Sequence, residues 1–167
     1  LESCFLKAQE SGLIPTVPNV TLGGTYSDIR TDGSVTQMNL VFLNQIDCTD
    51  VWDLTRAEIQ GRQNALWALT AMRKYLPGFE KARLRNFAMK IGTRDSRRIK
   101  GMYRLTADDV MNEARFEDSV GIFPEFVDGR GVLLIPTTGR YYQVPYRALV
   151  PQKVDNLLAA GRCISGD

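Results

Sequence analysis

Two hydrophobic periods alternate along this chain, and each change of period marks an element. In residues 2–11, Phe5, Leu6 and Ala8 fall on one side of a helix that Gly12 should stop. "LIPTVPNV" is an extended loop punctuated by prolines. In "TYSDIRTDGSVTQMNLVFL" the β-formers Tyr26, Ile29, Val35, Met38, Leu40 and Phe42 flank Asp32-Gly33, which predicts a β-hairpin. Thr55-Arg56-Ala57-Glu58 has the form of a capping box. It should open a long helix that runs to about Leu76 and ends at Pro77-Gly78, with Ile59, Leu66, Leu69, Met72 and Leu76 as its core stripe.

Shorter elements follow. "ARLRNFAMKIG" and "RRIKGMYRLT" read as strands, and Thr106 starts a second, shorter helix. "GVLLIPTTGRYYQVPYRALV" supplies two β-runs around Thr137-Thr138-Gly139. "NLLAAG", Asn156 to Gly161, reads as a short strand buried on both faces. No internal repeat or low-complexity linker interrupts the order. The expectation is an α+β fold: an antiparallel or mixed β-sheet with a β-hairpin and one long helix packed on it.

The chain has 167 residues, 44% hydrophobic and 24% charged, which is enough for a real core. A net charge of +2 argues against a nucleic-acid partner, because acidic residues balance the stripe Arg83, Arg85, Lys90, Arg94, Arg97, Arg98 and Lys100. No apolar run reaches the ~20 residues of a membrane helix, so no membrane partner is expected. "LESCFLKAQESG" is amphipathic and acidic rather than a signal peptide. Cys4, Cys48 and Cys163 lack the paired spacing of a disulfide framework or zinc site, so a reducing, cytoplasmic setting is expected. Asn19-Val20-Thr21 fits a glycosylation sequon, a triplet common by chance.

Histidine is absent. That removes Ser-His-Asp and Cys-His nucleophile systems and imidazole acid–base chemistry. Chemistry must rest on carboxylates, Arg, Lys, Tyr, Cys or a cofactor. There is no Walker loop. Gly129-Arg130-Gly131 lacks both the third glycine and the following helix of a dinucleotide loop, and reads as a turn. Gly23-Gly24 reads as a turn or bulge. Asp47, Asp50 and Asp53 lack the glycine and distal Glu of a calcium loop, so no metal site is expected. Cys163 has no second cysteine nearby and reads as packing.

Three clusters remain. Arg94 and Arg98 share one side of an extended segment, with Arg97 on the other, and a guanidinium can clamp a carboxylate in a fork. The alternative is a solvated strand edge paired with Asp95, Asp108 and Asp109. Tyr141, Tyr142 and Tyr146 form the second cluster with Arg140 and Arg147; Tyr141 and Tyr142 point to opposite faces of a strand, and Tyr141 and Tyr146 are candidates to orient a substrate. Tyr142 reads as core. In the last seven residues, Gly161 and Gly166 place bare backbone beside Arg162 and the Asp167 carboxylate, which can accept hydrogen bonds from ribose or ribityl hydroxyls.

"NLLAAGRCISGD" resembles the flavin-contacting strand and loop of FAD-dependent oxidoreductases built on two dinucleotide-binding domains. "IGTRDSRRIKGMYRLTADDV" and "GRYYQVPYRALVPQKVDNLLAAGRC" resemble two further segments of one branch of that family, so the resemblance covers Gly78 to Asp167. It implies FAD as cofactor, a small organic substrate as hydride donor, and catalytic roles for Arg94, Arg98, Tyr141 and Tyr146. It implies cofactor contacts from Gly161, Arg162, Gly166 and Asp167. The family's Gly-rich ADP-binding strand-turn-helix is not found in the chain. Residues 1–154 are therefore expected to form a substrate or cap domain, and 155–167 to re-enter an FAD-binding domain of the same protein. The isolated chain is expected to be inactive. The rival reading is a stand-alone, non-catalytic ligand-binding module.

Overall fold

A computed structural model describes residues 1–25, 28–36, 38–94, 96–124, 127–129, 132–134 and 139–166. The chain divides into two compact units, Leu1–Gly92 and Thr93–Asp167. The architecture is α+β, with short antiparallel two-stranded ladders and one long helix.

In the first unit, helix α1 (Glu2–Glu10) buries Cys4, Phe5 and Ala8, while Leu6 faces outward. Strands β1 (Val20–Thr25) and β4 (Asn39–Leu43) pair antiparallel, with Val20 opposite Leu43. Their register slips between Leu22 and Thr25, so Gly23-Gly24 is a bulge. Gly24 has φ +89°, and a Cβ there would lie 2.1 Å from the Asn39 carbonyl oxygen, so only glycine fits. The predicted hairpin forms beyond the bulge. β2 (Asp28–Ile29) pairs with β3 (Val35–Thr36), and the turn is closed by Gly33 N–H donating to Arg30 O at 2.8 Å.

Helix α2 (Val51–Tyr75) starts earlier than the sequence suggests. Its N-cap is Asp50, whose carboxylate accepts from Trp52 N–H (2.8 Å) and Asp53 N–H (2.9 Å). Thr55 is already inside the helix, with its hydroxyl donating to Val51 O. A capping-box pattern within a helix has no orphan N–H group to satisfy, and the side-chain oxygen nearest the true end wins. The predicted core stripe is also only half right. Leu69, Met72 and Leu76 reach the core with α1, Ile14 and Leu40, but Ile59 is 68% exposed and Leu66 43%. The buried face consists of Ala57, Asn64, Ala68, Ala71 and Met72. Small residues let the helix approach its neighbours closely, and Asn64 is satisfied by donating to Gln60 O at 2.8 Å.

Residues 82–92 are not a strand. They lie along α2, held by its polar side chains: Arg73 Nε donates to Ala82 O (2.7 Å), and Glu58 Oε1 accepts from Ile91 N–H (2.7 Å). With no neighbouring strand to pair with, the alternating pattern cannot become a ladder.

In the second unit, α3 (Ala107–Met111) begins at Thr106, which forms a full capping box with Asp109. β5 (Ser119–Phe123) pairs antiparallel with β8 (Tyr142–Pro145), and β6 (Val127–Gly129) with β7 (Val132–Leu134). β7 and β8 are the two β-runs of the sequence, and their partners β5 and β6 were not foreseen; most of the Thr137-Thr138-Gly139 turn lies outside the described residues. Tyr142, Pro145, Ala148 and Val110 are buried, and the Tyr142 ring packs against Phe123 at 5.6 Å. A single 3-10 turn, Tyr146–Ala148, follows β8.

Two predicted strands are corrected here. "RRIKGMYRLT" forms only isolated bridges, Gly101 with Pro151 and Leu105 with Gly166. "NLLAAG" is irregular, and Leu157 and Leu158 are 50% and 52% exposed rather than enclosed. Apolar composition makes a segment suited to burial, but burial needs a partner surface, and the described residues leave about half of each leucine open. No helix among the described residues is long and apolar enough to cross a membrane.

Candidate functional site

Three irregular segments of the second unit weave through one another: 98–105, 146–152 and 159–166. Hydrogen bonds tie each to the next. Ile99 N–H donates to Cys163 O (2.9 Å), Leu105 N–H to Ser165 O (3.1 Å) and Ser165 N–H to Ala148 O (3.0 Å). Tyr103 N–H donates to Arg147 O (3.1 Å) and Met102 N–H to Val150 O (2.8 Å). The crossing point is Gly101. A Cβ there would sit 2.7 Å from Ser165 Cβ and 3.0 Å from Ala148 O. Glycine is required by close approach of three backbones, not by a left-handed φ.

The weave brings together predicted residues that are far apart in sequence. Arg98 lies on Gly166, with Nη1 3.2 Å from where a Cβ of Gly166 would be. The turn carrying Tyr146 is bonded to the segment that carries both Gly101 and Tyr103. Tyr146 itself is 44% exposed. Arg94 is exposed and Arg98 half-buried, both on the lead-in to the weave. Gly161 has φ +86° and open space on its Cβ side, so its backbone is bare towards solvent, and Arg162 beside it is exposed. Asp167 lies outside the described residues. Cys163 is half-buried, with its thiol donating to Ala160 O at 3.3 Å, in keeping with packing.

Tyr141 is placed differently. Arg115 stacks over its ring at 3.9 Å and also donates to its carbonyl. Arg140 pairs with Glu113 (3.2 Å). These cations brace the start of β8 against the loop after α3.

Sequence reasoning missed a polar knot beside the weave. The Tyr103 hydroxyl donates to Asp109, 3.0 Å from each carboxylate oxygen, and Thr106 donates to the same carboxylate through N–H (2.8 Å) and hydroxyl (2.9 Å). Burial, then the bond to Asp109, raises the Tyr103 pKa. Phe116 meets the Tyr103 ring edge-on at 5.1 Å, and Arg147 lies over it at 5.3 Å. Asp118 grips Arg147 through Nε (2.9 Å), Nη2 (3.2 Å) and backbone N–H (3.0 Å). That grip, with the hydrogen bond from the Arg147 side chain as the largest cause, holds the Asp118 carboxyl below the usual carboxylate range. The sequence signs were Thr106-Ala107-Asp108-Asp109 as a helix start, Asp109 as a charge partner for the arginines and Arg147 beside the tyrosines; Phe116, Asp118 and Arg147 lie 13, 15 and 44 residues along the chain from Tyr103.

The open glycine at Gly161, the exposed Arg162 and the Arg98–Gly166 contact can accept an anionic or hydroxyl-rich ligand against bare backbone. They fit the phosphate- and ribityl-bearing part of a flavin cofactor. A family model described as FAD dependent oxidoreductase matches residues 7–167. No curated protein and no solved structure gives a match.

Proposed function

The chain belongs to the FAD-dependent oxidoreductase family, and from that premise we propose that it forms the substrate-side part of such an enzyme. In this reading residues 1–154 act as a substrate or cap domain, and 155–167 join it to the flavin-binding part. The observation that carries the reading is the family match across 7–167, which includes the whole weave. The exposed Leu157 and Leu158 support it, since they offer apolar surface next to the glycine turn for another part of the protein to cover.

FAD, when bound, supplies the acceptor for a hydride that leaves a small organic substrate with its bonding electron pair. The residues of this chain hold and orient. Gly161, Arg162, Gly166 and Asp167 would contact the cofactor. Arg94 and Arg98 would position an anionic group of the substrate through guanidinium hydrogen bonds. Tyr146 and Tyr141 would line the substrate side, with Tyr146 the more exposed of the two.

The test has two arms. Full-length protein should show a flavin absorbance spectrum that bleaches anaerobically with a member of a panel of small hydroxy, amino and carboxylic compounds. The 167-residue chain alone should lack bound flavin and redox activity. Full-length protein purified without flavin, and unable to take it up, would defeat the reading. Yellow flavin retained by the chain alone would defeat the division of labour.

A further inference from the structure

We propose that Asp118 is the positioning residue that sets how Tyr146 is presented, through a clamp on the 3-10 turn. The inference rests on the reading above only in assigning Tyr146 to the substrate side. The turn Tyr146–Ala148 spans three residues, follows Pro145 and has no side-chain cap, so it cannot hold itself. Its first two residues both bind Asp118. Tyr146 N–H donates to the Asp118 carbonyl at 2.7 Å. Arg147 brings its N–H, Nε and Nη2 to the carboxylate. The turn is also tied by two main-chain bonds, Tyr103 N–H to Arg147 O and Ser165 N–H to Ala148 O, and by the Arg147 guanidinium over the Tyr103 ring. Asp118 thus supplies a main-chain acceptor for the Tyr146 N–H and a charged acceptor for the Arg147 N–H and guanidinium. The other groups near the clamp are Tyr103, which is hydrogen-bonded to Asp109, and Glu117, whose charge acts on Arg147. The geometry makes the clamp depend on the ionised form of Asp118, because a neutral carboxyl loses the charge that attracts the guanidinium.

The test is an acid titration of the wild-type chain, D118N and D118E, kept within the range where far-UV circular dichroism is unchanged. Two signals are read by NMR: the Arg147 amide proton shift and the Tyr146 ring-proton shifts. In the wild type both should move together as Asp118 is protonated. D118N should lose that pH response and stay at the wild-type acid limit, and D118E should recover part of it. The inference is overturned if the Tyr146 ring protons of D118N shift with pH as those of the wild type do, or if the wild-type Arg147 amide does not follow the titration. The wild-type titration decides the matter even if D118N fails to fold. The substrate-side role of Tyr146 is tested separately by Y146F and flavin bleaching; normal bleaching would defeat that role and leave the clamp result standing.

Discussion

Adding one methyl group at Gly101 should loosen the whole weave. In Gly101→Ala the new Cβ would lie 2.7 Å from Ser165 Cβ, 3.0 Å from Ala148 O and 3.1 Å from Tyr103 O. Comfortable carbon–carbon contact is about 3.5–4.0 Å, so Ser165 would have to retreat by roughly 1 Å. It cannot do so freely, because Ser165 N–H and O are bonded to Ala148 and Leu105. Gly101 cannot retreat either, since its carbonyl accepts from Gln152 Nε2 at 2.8 Å and it bridges to Pro151. Overpacking of this kind costs about 1–3 kcal/mol, and two of the three contacts are backbone oxygens, which places the site in the upper half. The φ of Gly101 is not left-handed, so alanine also gains about 0.4–1 kcal/mol by restricting the unfolded chain. The net loss expected is about 1–2 kcal/mol. With a urea m-value of about 2 kcal/mol/M, the middle of the usual range, the midpoint should fall by roughly 0.5–1 M.

The assay must report on the second unit. Both tryptophans, Trp52 and Trp67, lie in the first. Near-UV circular dichroism of the tyrosines, four of whose positions (Tyr103, Tyr141, Tyr142 and Tyr146) lie in the second unit, follows the correct region. Gly92→Ala is the control: its Cβ would meet nothing within 4 Å, so it should be neutral or slightly stabilising. If Gly101→Ala unfolds at the wild-type midpoint, the close crossing of the three segments is wrong.

Two further predictions concern the first unit's helix and the second unit's core. Asp50→Ala should cost about 1 kcal/mol, the usual value of an N-cap, in urea unfolding followed by tryptophan fluorescence, whereas Thr55→Ala should stay within about 0.5 kcal/mol because that hydroxyl only bonds Val51 O inside the helix; equal losses would contradict the assigned helix start. Burial pushes the Tyr142 phenol, 4% exposed, up to about 12. The folded chain thus favours the neutral phenol, and its contribution is complete below the unfolded pKa of about 10, declines as pH rises and is lost above about 12, a total of about 2–3 kcal/mol. Phenolate absorbance followed with circular dichroism should show a late fraction that ionises as structure is lost. A single wave near pH 10 with the fold intact would refute it.

Local chemistry was legible where neighbours in sequence decide the outcome. Asp32-Gly33 closes a hairpin because Asp32 accepts from Ser34 N–H two residues on, and Thr106 caps α3 because Asp109 is three residues away. Gly23-Gly24 is a bulge, one of the two forms its composition allows. The long helix was visible, and with it Leu69, Met72 and Leu76 of its core stripe, but the small residues of its buried face were not. α2 carries apolar residues on more than one side, and only the position of α1 and β4 decides that Ala68 and Ala71 face inward while Ile59 faces water.

The candidate site divides in the same way. Arg98, Tyr146, Gly161, Arg162 and Gly166 were identifiable as residue types suited to holding an anion or a cofactor, and the family was recognisable from the spacing of three motifs. That Arg98 lies on Gly166, that Gly101 is the crossing point, and that Asp118 and Tyr103 brace the Tyr146 turn could not be read in that order of residues. Periodicity and turn chemistry act over a few residues, whereas these contacts join segments that meet only once the chain has folded back on itself. The sequence by itself determined the helices, the hairpin and the chemical vocabulary of the tail. The tertiary structure decided which of those groups touch, because a loop without a repeating hydrogen-bond pattern takes its path from its partners and not from its own composition.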